Sequence, residues 1–237
     1  MKKMAIFLEG KCELLFVEAI IKALADINKI HIEKKESSGS KYKRNFTVIE
    51  ANATNNKKTT HYLLLYNCGS DEQVKSDIKD QYAGLKNAGH TKIIGIRDVY
   101  PKATLSELPL LRSGLLQGFE KNDEPSIIFC LGVMEFEAWL LAEHTHFTRF
   151  NDNITHEKIL SELSINISEC EYSKISQPSK VLSDIYWLEK IHYDKSHVTM
   201  SSILSTIDFD RLRTTVCEKF EDLKNLYSTL IEFFELK

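Results

Sequence analysis

The feature that most restricts this chain is an alternation. Short apolar runs from Lys3 to Leu8, His61 to Tyr66, Ile93 to Ile96 and Ile127 to Leu131 are each followed by a segment with helical spacing. Strands that are apolar on consecutive residues bury both faces, and the helices between them supply the cover, so such a chain folds as βαβ units around a parallel sheet. Leu14, Phe16, Val17, Ile20, Ile21 and Leu24 mark the first helix; Val74, Ile78, Tyr82 and Leu85 mark the second, which Gly89 ends. Residues 104–120 and 134–142 read as two more helices. The polar stretch from Lys34 to Lys58 reads as a loop holding one strand from Phe46 to Ile49. From Phe147 onward helices with long polar joints take over, closing on the amphipathic Leu223, Leu226, Leu230 and Phe234. The expected organisation is an α/β domain over 1–145 with a helical C-terminal region over 146–237 packed on it.

Composition narrows the function classes. The chain has 237 residues, 43% of them hydrophobic, enough for a sizeable core, and a formal net charge of −3. With no global basic excess, any nucleic-acid contact must come from local clusters of Lys and Arg. The basic opening Met1-Lys2-Lys3-Met4 runs into an apolar stretch that Glu9 breaks too early for a signal peptide. No run approaches the ~18 apolar residues of a membrane span, so a cytoplasmic location is expected. Cys12, Cys68, Cys130, Cys170 and Cys217 show neither a CxxC pair nor zinc spacing, and read as free thiols.

In open parallel sheets functional groups gather past the carboxyl ends of strands. Glu9, Asp98, Glu135 and Glu137 all fall just after a strand. In Glu9-Gly10-Lys11-Cys12-Glu13 one carboxylate sits at a strand end and a second on the first helical turn, with Gly10 permitting close backbone approach. Hard cations such as Mg²⁺ or Mn²⁺ take oxygen ligands and keep several waters, so carboxylates converging from neighbouring strand ends suffice to bind one. Taken singly, Glu13 is equally what a helix dipole favours, and Asp98 is ordinary turn chemistry. Glu9 is harder to place that way, because a charge directly after a core strand is costly unless solvated or paired. Lys11, Arg97, Lys102 and Arg112 stand where they could contact phosphates, though each reads as readily as a surface residue. Lys41, Lys43 and Arg44 form a denser basic loop, and Tyr42 among them could stack on a base. His144 and His146 lack a third ligand at zinc spacing, and Trp139 reads as core.

The EGKxE element from Glu9 to Glu13 after a strand, together with the acidic turn at Asp98, resembles the Toprim domain. Segments such as Arg97-Asp98-Val99-Tyr100-Pro101 and the stretch from Glu135 to Glu143 resemble the small Toprim-like proteins encoded beside ABC-type ATPases in bacterial anti-phage defence, related to the overcoming-lysogenization-defect nucleases. The resemblance covers residues 3–143 and extends in part to the Pro178–Lys195 stretch and the last helix. It implies a parallel four-stranded sheet flanked by helices, and Mg²⁺- or Mn²⁺-dependent hydrolysis of phosphodiesters. Glu9, Glu13 and Asp98 would be catalytic; Glu9, Asp98, Glu135 and Glu137 would hold metal; and Lys11, Arg97 and Lys102 would hold DNA or RNA. Glu9 would act as general acid or base. One position departs from the pattern: Tyr100 stands where the acidic turn of the family has a second aspartate, so that either Glu135 and Glu137 complete the shell or a second ion arrives with the substrate phosphate.

The expected function is therefore a nuclease effector of an ATPase-coupled defence system, with an ABC-type ATPase as partner and a homodimer as the default assembly. The alternatives are a catalytically degenerate scaffold that only binds the ATPase, and a phosphatase or nucleotide hydrolase using the same metal logic. With no Walker glycine loop in the sequence, ATP binding by this chain itself is not expected.

Overall fold

The computed structural model describes residues 1–40, 43–52, 58–100, 103–119 and 124–236. In chain order the first elements are β1 (Lys2–Leu8), α1 (Lys11–Leu24), β2 (Ile30–Ser40), β3 (Lys43–Ala51), β4 (His61–Asn67), α2 (Asp71–Asn87), β5 (Lys92–Asp98), α3 (Leu108–Leu116) and β6 (Ser126–Gly132). Helices α4 (Glu137–Ala142), α5 (His146–Phe150), α6 (His156–Leu163), α7 (Pro178–Trp187), α8 (His197–Leu204) and α9 (Phe209–Arg211) follow. A π-helical turn over Leu212–Val216 and the closing helix α10 (Glu221–Phe234) complete the chain.

The sheet has six strands in the order β3-β2-β4-β1-β5-β6, not the four expected. β1 pairs in parallel with β4 and with β5, β2 runs parallel to β4, and β3 runs antiparallel to β2. Ser126 N–H donates to Thr91 O at the start of β6, and Val99 N–H to Gly132 O at its end. β5 and β6 therefore start together and finish together. The strand expected at Phe46–Ile49 lies within the longer β3, and the unforeseen strand is β2, most of which falls in the stretch read as a loop. At one edge of the sheet, β3 exposes the polar Asn45, Thr47 and Glu50, of the kind that keeps an edge from pairing with other chains, together with the apolar Val48 and Ile49. Its strand signal is confined to Phe46–Ile49 and is shorter than the element itself.

The chain forms two compact units. One comprises Met1–Arg97, Pro109–Cys130 and Ser228–Lys237; the other comprises Asp98–Leu108 and Leu131–Tyr227. These are not the 1–145 and 146–237 segments expected from sequence, because α4 belongs with the later helices and the end of α10 belongs with the strands. In the first unit the ring of His61 meets the Phe233 carbonyl at 3.2 Å, and Lys92 pairs with Glu232 at 2.8 Å.

In the first unit, Met4 to Leu8 of β1 are all fully buried. One α1 face buries Leu14, Phe16, Val17, Ile20 and Ile21. The other side of the sheet packs Ala5, Phe7, Leu64, Tyr66 and Ile93 against Val74, Ile78 and Leu85 of α2. Asp77 on α2 is fully buried and takes Arg44 of β3 through Nε at 2.8 Å and Nη2 at 3.0 Å. Burial pushes the Asp77 carboxyl up while the Arg44 charge pulls it back. Arg44 is thus committed to a buried ion pair, not to the basic loop in which the sequence placed it; Lys41 and Tyr42 of that loop lie outside the described residues. Among the described residues no helix is long and apolar enough to cross a membrane, and the cysteines are free.

The second unit is organised around Glu143, which is fully buried. It accepts from the Thr145 hydroxyl, from Arg149 at 3.0 Å and from the Asp208 amide at 3.4 Å. Trp139 is fully buried. The two histidines weighed as metal ligands take different partners. His146 Nδ1 lies 2.7 Å from the Glu143 carbonyl, and His144 sits between His156 at 2.9 Å and Arg211 at 3.2 Å. Burial pushes both histidines down to about 4, from 6.5.

A histidine kept neutral by the fold gives a signed pH dependence. Its folded value lies below its unfolded one, so between pH 6.5 and about 4 the unfolded chain takes up protons that the native one does not, and stability falls as pH is lowered. At most about 1.4 kcal/mol per pH unit comes from each ring. In urea titrations across this window, the loss of stability on acidification is expected to be shallower for His146→Gln than for the parent. Equal slopes would show that His146 charges without cost.

Candidate metal centre

Two strand ends and one helical turn build the centre. β1 and β5 pair in parallel with Leu8 beside Ile96, so Glu9, one residue past β1, and Asp98, the last residue of β5, leave the sheet side by side. The boundary between the units falls within β5, which is one continuous strand, so the register that places Ile96 carries through to Asp98. Gly10 caps α1 without a side chain, and Glu13 follows on the first turn. A Cβ on Gly10 would lie 3.0 Å from Glu13 Oε2, closer than real contacts comfortably allow, so glycine is what lets this carboxylate fold back across the turn. Glu9, Glu13 and Asp98 each offer a carboxylate oxygen within 4.8 Å of the others. Glu13 and Asp98 are 7% exposed, and Glu9 is half-buried.

Three carboxylates this close repel by roughly 3 kcal/mol per pair at an effective dielectric of about 20. A divalent cation turns that repulsion into attraction. Ligand oxygens on one ion stand no further apart than twice the metal–oxygen distance, roughly 4.2 Å for Mg²⁺ and about 5 Å for Ca²⁺. The observed spacing of up to 4.8 Å lies between the two limits, so small side-chain shifts of about 0.6 Å in total would bring the oxygens onto the smaller ion. All three donors are oxygens, the set a hard cation selects. The residues present therefore fit a divalent ion such as Mg²⁺ or Mn²⁺.

Asp98 is aimed by residues that sequence reasoning missed. Its Oδ1 accepts the Phe136 amide N–H at 2.8 Å. A Cβ on Gly132 would collide with that same Oδ1 and lie 2.7 Å from the Phe136 nitrogen, so the last residue of β6 has to be glycine for the bond to form. Met134, with φ of 64°, takes the left-handed conformation that non-glycine residues seldom adopt, and turns the chain between them. The signal in the sequence was a glycine closing an apolar strand three residues before an acidic cluster. It reads equally well as a plain turn.

Glu135 and Glu137 are not part of the group of three. Glu135 receives the Ser179 amide at 2.7 Å and its hydroxyl at 2.9 Å, at the start of α7. Glu137 is fully buried, accepting from the Tyr193 hydroxyl at 3.0 Å and pairing with Lys195 at 2.6 Å; burial pushes its carboxyl up and Lys195 opposes this. Both are expected ligands that the structure gives other partners within the second unit. Tyr100 has its hydroxyl 3.5 Å from the Gln177 side-chain nitrogen.

The expected phosphate contacts divide three ways. Lys11 is largely exposed, with its ammonium 3.0 Å from Glu36. Arg97 is buried and pairs with Asp71 at the start of α2 at 3.3 Å. Lys102 lies outside the described residues. Asp71, Glu36 and Asn67, whose amide donates to Glu36 at 3.1 Å, were not singled out from sequence. Glu36 of β2 pairs with Asn67, the last residue of β4, and Asp71 starts α2 just beyond; β4 is the neighbour of β1, the strand that leads into Glu9.

Replacing Gly132 by Ala is expected to push Asp98 off the Phe136 amide and weaken Mn²⁺ binding at least tenfold by calorimetry. Gly84→Ala, on a part of α2 where an added Cβ meets nothing within 4 Å, serves as the control and should bind as the parent does. Equal affinity in both variants would remove Gly132 from the centre. In comparisons with protein-family models, with curated proteins and with solved structures, nothing matches this chain.

Proposed function

We propose that this chain is a metal-dependent nuclease that hydrolyses phosphodiester bonds in DNA or RNA, acting as the effector of an ATPase-coupled anti-phage defence system. The observation that carries the reading is the convergence of Glu9, Glu13 and Asp98 within 4.8 Å at the carboxyl ends of adjacent central strands. The resemblance of the Glu9–Glu13 element and the Asp98 turn to Toprim domains points to the same chemistry.

Glu9, Glu13 and Asp98 would hold the ion, which when bound supplies an acidified water and positive charge for the scissile phosphate. Within this set the roles divide by exposure. Glu13 and Asp98, nearly sealed from solvent, keep fixed positions; Asp98 is held by the Phe136 amide. Glu9 is the least buried of the three and can exchange a proton with water or a leaving oxygen, which suits a general acid or base. Lys11, exposed on the first turn of α1, is the cation best able to turn from Glu36 to a substrate phosphate. Arg97, tied to Asp71, contributes a fixed charge beside Asp98.

A second reading has its own observation. Tyr100 occupies the place of an expected ligand and Glu135 is spent on Ser179, so the centre has three carboxylates and no fourth from these positions. A scaffold that binds an ATPase without catalysis would tolerate this loss.

The deciding experiment incubates the purified chain with Mn²⁺ and a panel of plasmid DNA, single-stranded DNA and total RNA, beside Glu9→Ala and Asp98→Ala. Cleavage of at least one substrate is expected, reduced at least a hundredfold in both variants. Cleavage that survives Glu9→Ala unchanged would end the nuclease assignment. Inactivity of the parent both alone and with its ATPase would favour the scaffold.

A further inference from the structure

Three hydrogen bonds tie the Asp98 turn to the segment behind it, all within the second unit. Val99 N–H donates to Gly132 O at 3.1 Å, Tyr100 N–H to Met134 O at 2.8 Å, and Phe136 N–H to Asp98 Oδ1 at 2.8 Å. Met134 stands in the middle of this seam with its φ of 64°. A methionine keeps a left-handed backbone only where its surroundings hold it there. The seam is therefore only as firm as its fastening on the side away from Asp98.

On that side the chain runs into a sealed carboxylate. Glu137, one residue beyond Phe136, is fully buried. Its Oε1 takes the Tyr193 hydroxyl at 3.0 Å and the Lys195 ammonium at 2.6 Å, and its Oε2 has no hydrogen-bond partner. A carboxylate shut off from water is costly unless a charge answers it, and removing one member of such a pair leaves the other buried and uncompensated. Glu137 keeps its place only while Lys195 keeps its own.

The residues around Lys195 are arranged for this contact. Tyr193 and Lys195, two apart in sequence, both reach Glu137, while Asp194 between them accepts the Ser196 amide at 2.9 Å and leads the chain into α8. Hydrogen bonds from Ser196 hold the Asp194 carboxyl down to about 2, so this brace stays charged at any ordinary pH. Lys195 has a φ of 55°, a second left-handed residue at the other end of the same line of contacts. Its side chain is 46% exposed although the carboxylate it meets is sealed, so the charge that secures Glu137 is supplied from the surface.

We propose that Lys195 is a positioning residue for the metal centre: through its ion pair with Glu137 it holds the strained turn at Met134 closed and keeps the Phe136 amide on Asp98. The proposal rests on the reading of Glu9, Glu13 and Asp98 as that centre. Because Lys195 reaches the surface, the centre is open to control from outside it, and whatever neutralises or withdraws this ammonium loosens Asp98.

Amide exchange followed by NMR in EDTA, together with Mn²⁺ calorimetry, tests this in Lys195→Met, which keeps most of the stem and removes the charge. The Phe136 amide is expected to exchange roughly tenfold faster than in the parent, while that of Ile6 in the buried β1 is unchanged. Mn²⁺ is expected to bind roughly tenfold more weakly. Lys195→Arg, which restores the charge, should behave as the parent in both measurements. Lys190→Met removes a cation from the same kind of left-handed backbone, with a φ of 57° and no ion pair among the described residues, and should change neither. Glu137→Gln combined with Lys195→Met leaves no charge buried alone and should recover most of the loss, which separates the lost pair from a failure to fold. Unchanged Phe136 exchange in Lys195→Met, acceleration that Ile6 shares, or a double variant no better than the single one would overturn the proposal. A parent that binds no Mn²⁺ while Phe136 responds as expected would instead sink the metal-centre reading and leave the link from Lys195 to Asp98 standing.

Discussion

Everything at the candidate centre depends on β1 being buried on both faces between β4 and β5. Met4 to Leu8 have no solvent exposure at all, so register with the neighbours is strongly specified: a one-residue slip would change the face presented by every side chain. A strand this constrained ends at a fixed point. The first residue that can carry charge is Glu9, and the parallel partner delivers Asp98 to the same edge. Glu13 follows from the helix that must start there to cover the strand it came from.

The crowding of carboxylates at that edge opposes folding, and the surrounding residues offset it in ways that leave the three oxygens close together. Gly10 removes the side chain that would hold Glu13 away, and Gly132 removes the one that would block Asp98. The positive charge of Arg97, one residue before Asp98, is buried with Asp71. These are features of a site that keeps like charges together, and keeping like charges together is useful when a cation binds them. An ordinary acidic surface would let the side chains drift apart into water.

What could be read in the sequence follows a physical rule. β1, β4 and β5 are marked by continuous apolar runs because each is largely sandwiched, β6 by an apolar run although it is an edge strand, and Glu9, Glu13 and Asp98 are legible because they sit at or just past the ends of β1 and β5. β2 was hidden because its Lys, Glu and Ser residues make a pattern shared with loops although it lies inside the sheet, and β3, an edge strand, showed only its Phe46–Ile49 segment. Arg44 looked like part of a basic loop, and only the fold shows it reaching 33 residues along the chain to Asp77. Gly132 and Met134 act through backbone conformation, which leaves little trace in residue type. Glu135 and Ser179 are 44 residues apart, and no spacing rule connects them.

Glu135 and Glu137 show how acidic residues placed after a strand can serve a centre without touching its ion. Phe136, between them, supplies the amide that aims Asp98. On one side Glu135 is fastened to the start of α7 by two hydrogen bonds from Ser179; on the other Glu137 is fastened to Tyr193 and Lys195 in a fully buried setting. A backbone amide has no rotamer of its own, so its direction is only as firm as the residues on either side. With both neighbours locked, the Phe136 N–H is held toward Asp98, and the carboxylate meets a donor already in place. The acidic pair is therefore better understood as what stiffens the segment behind the centre than as a fourth and fifth ligand held in reserve.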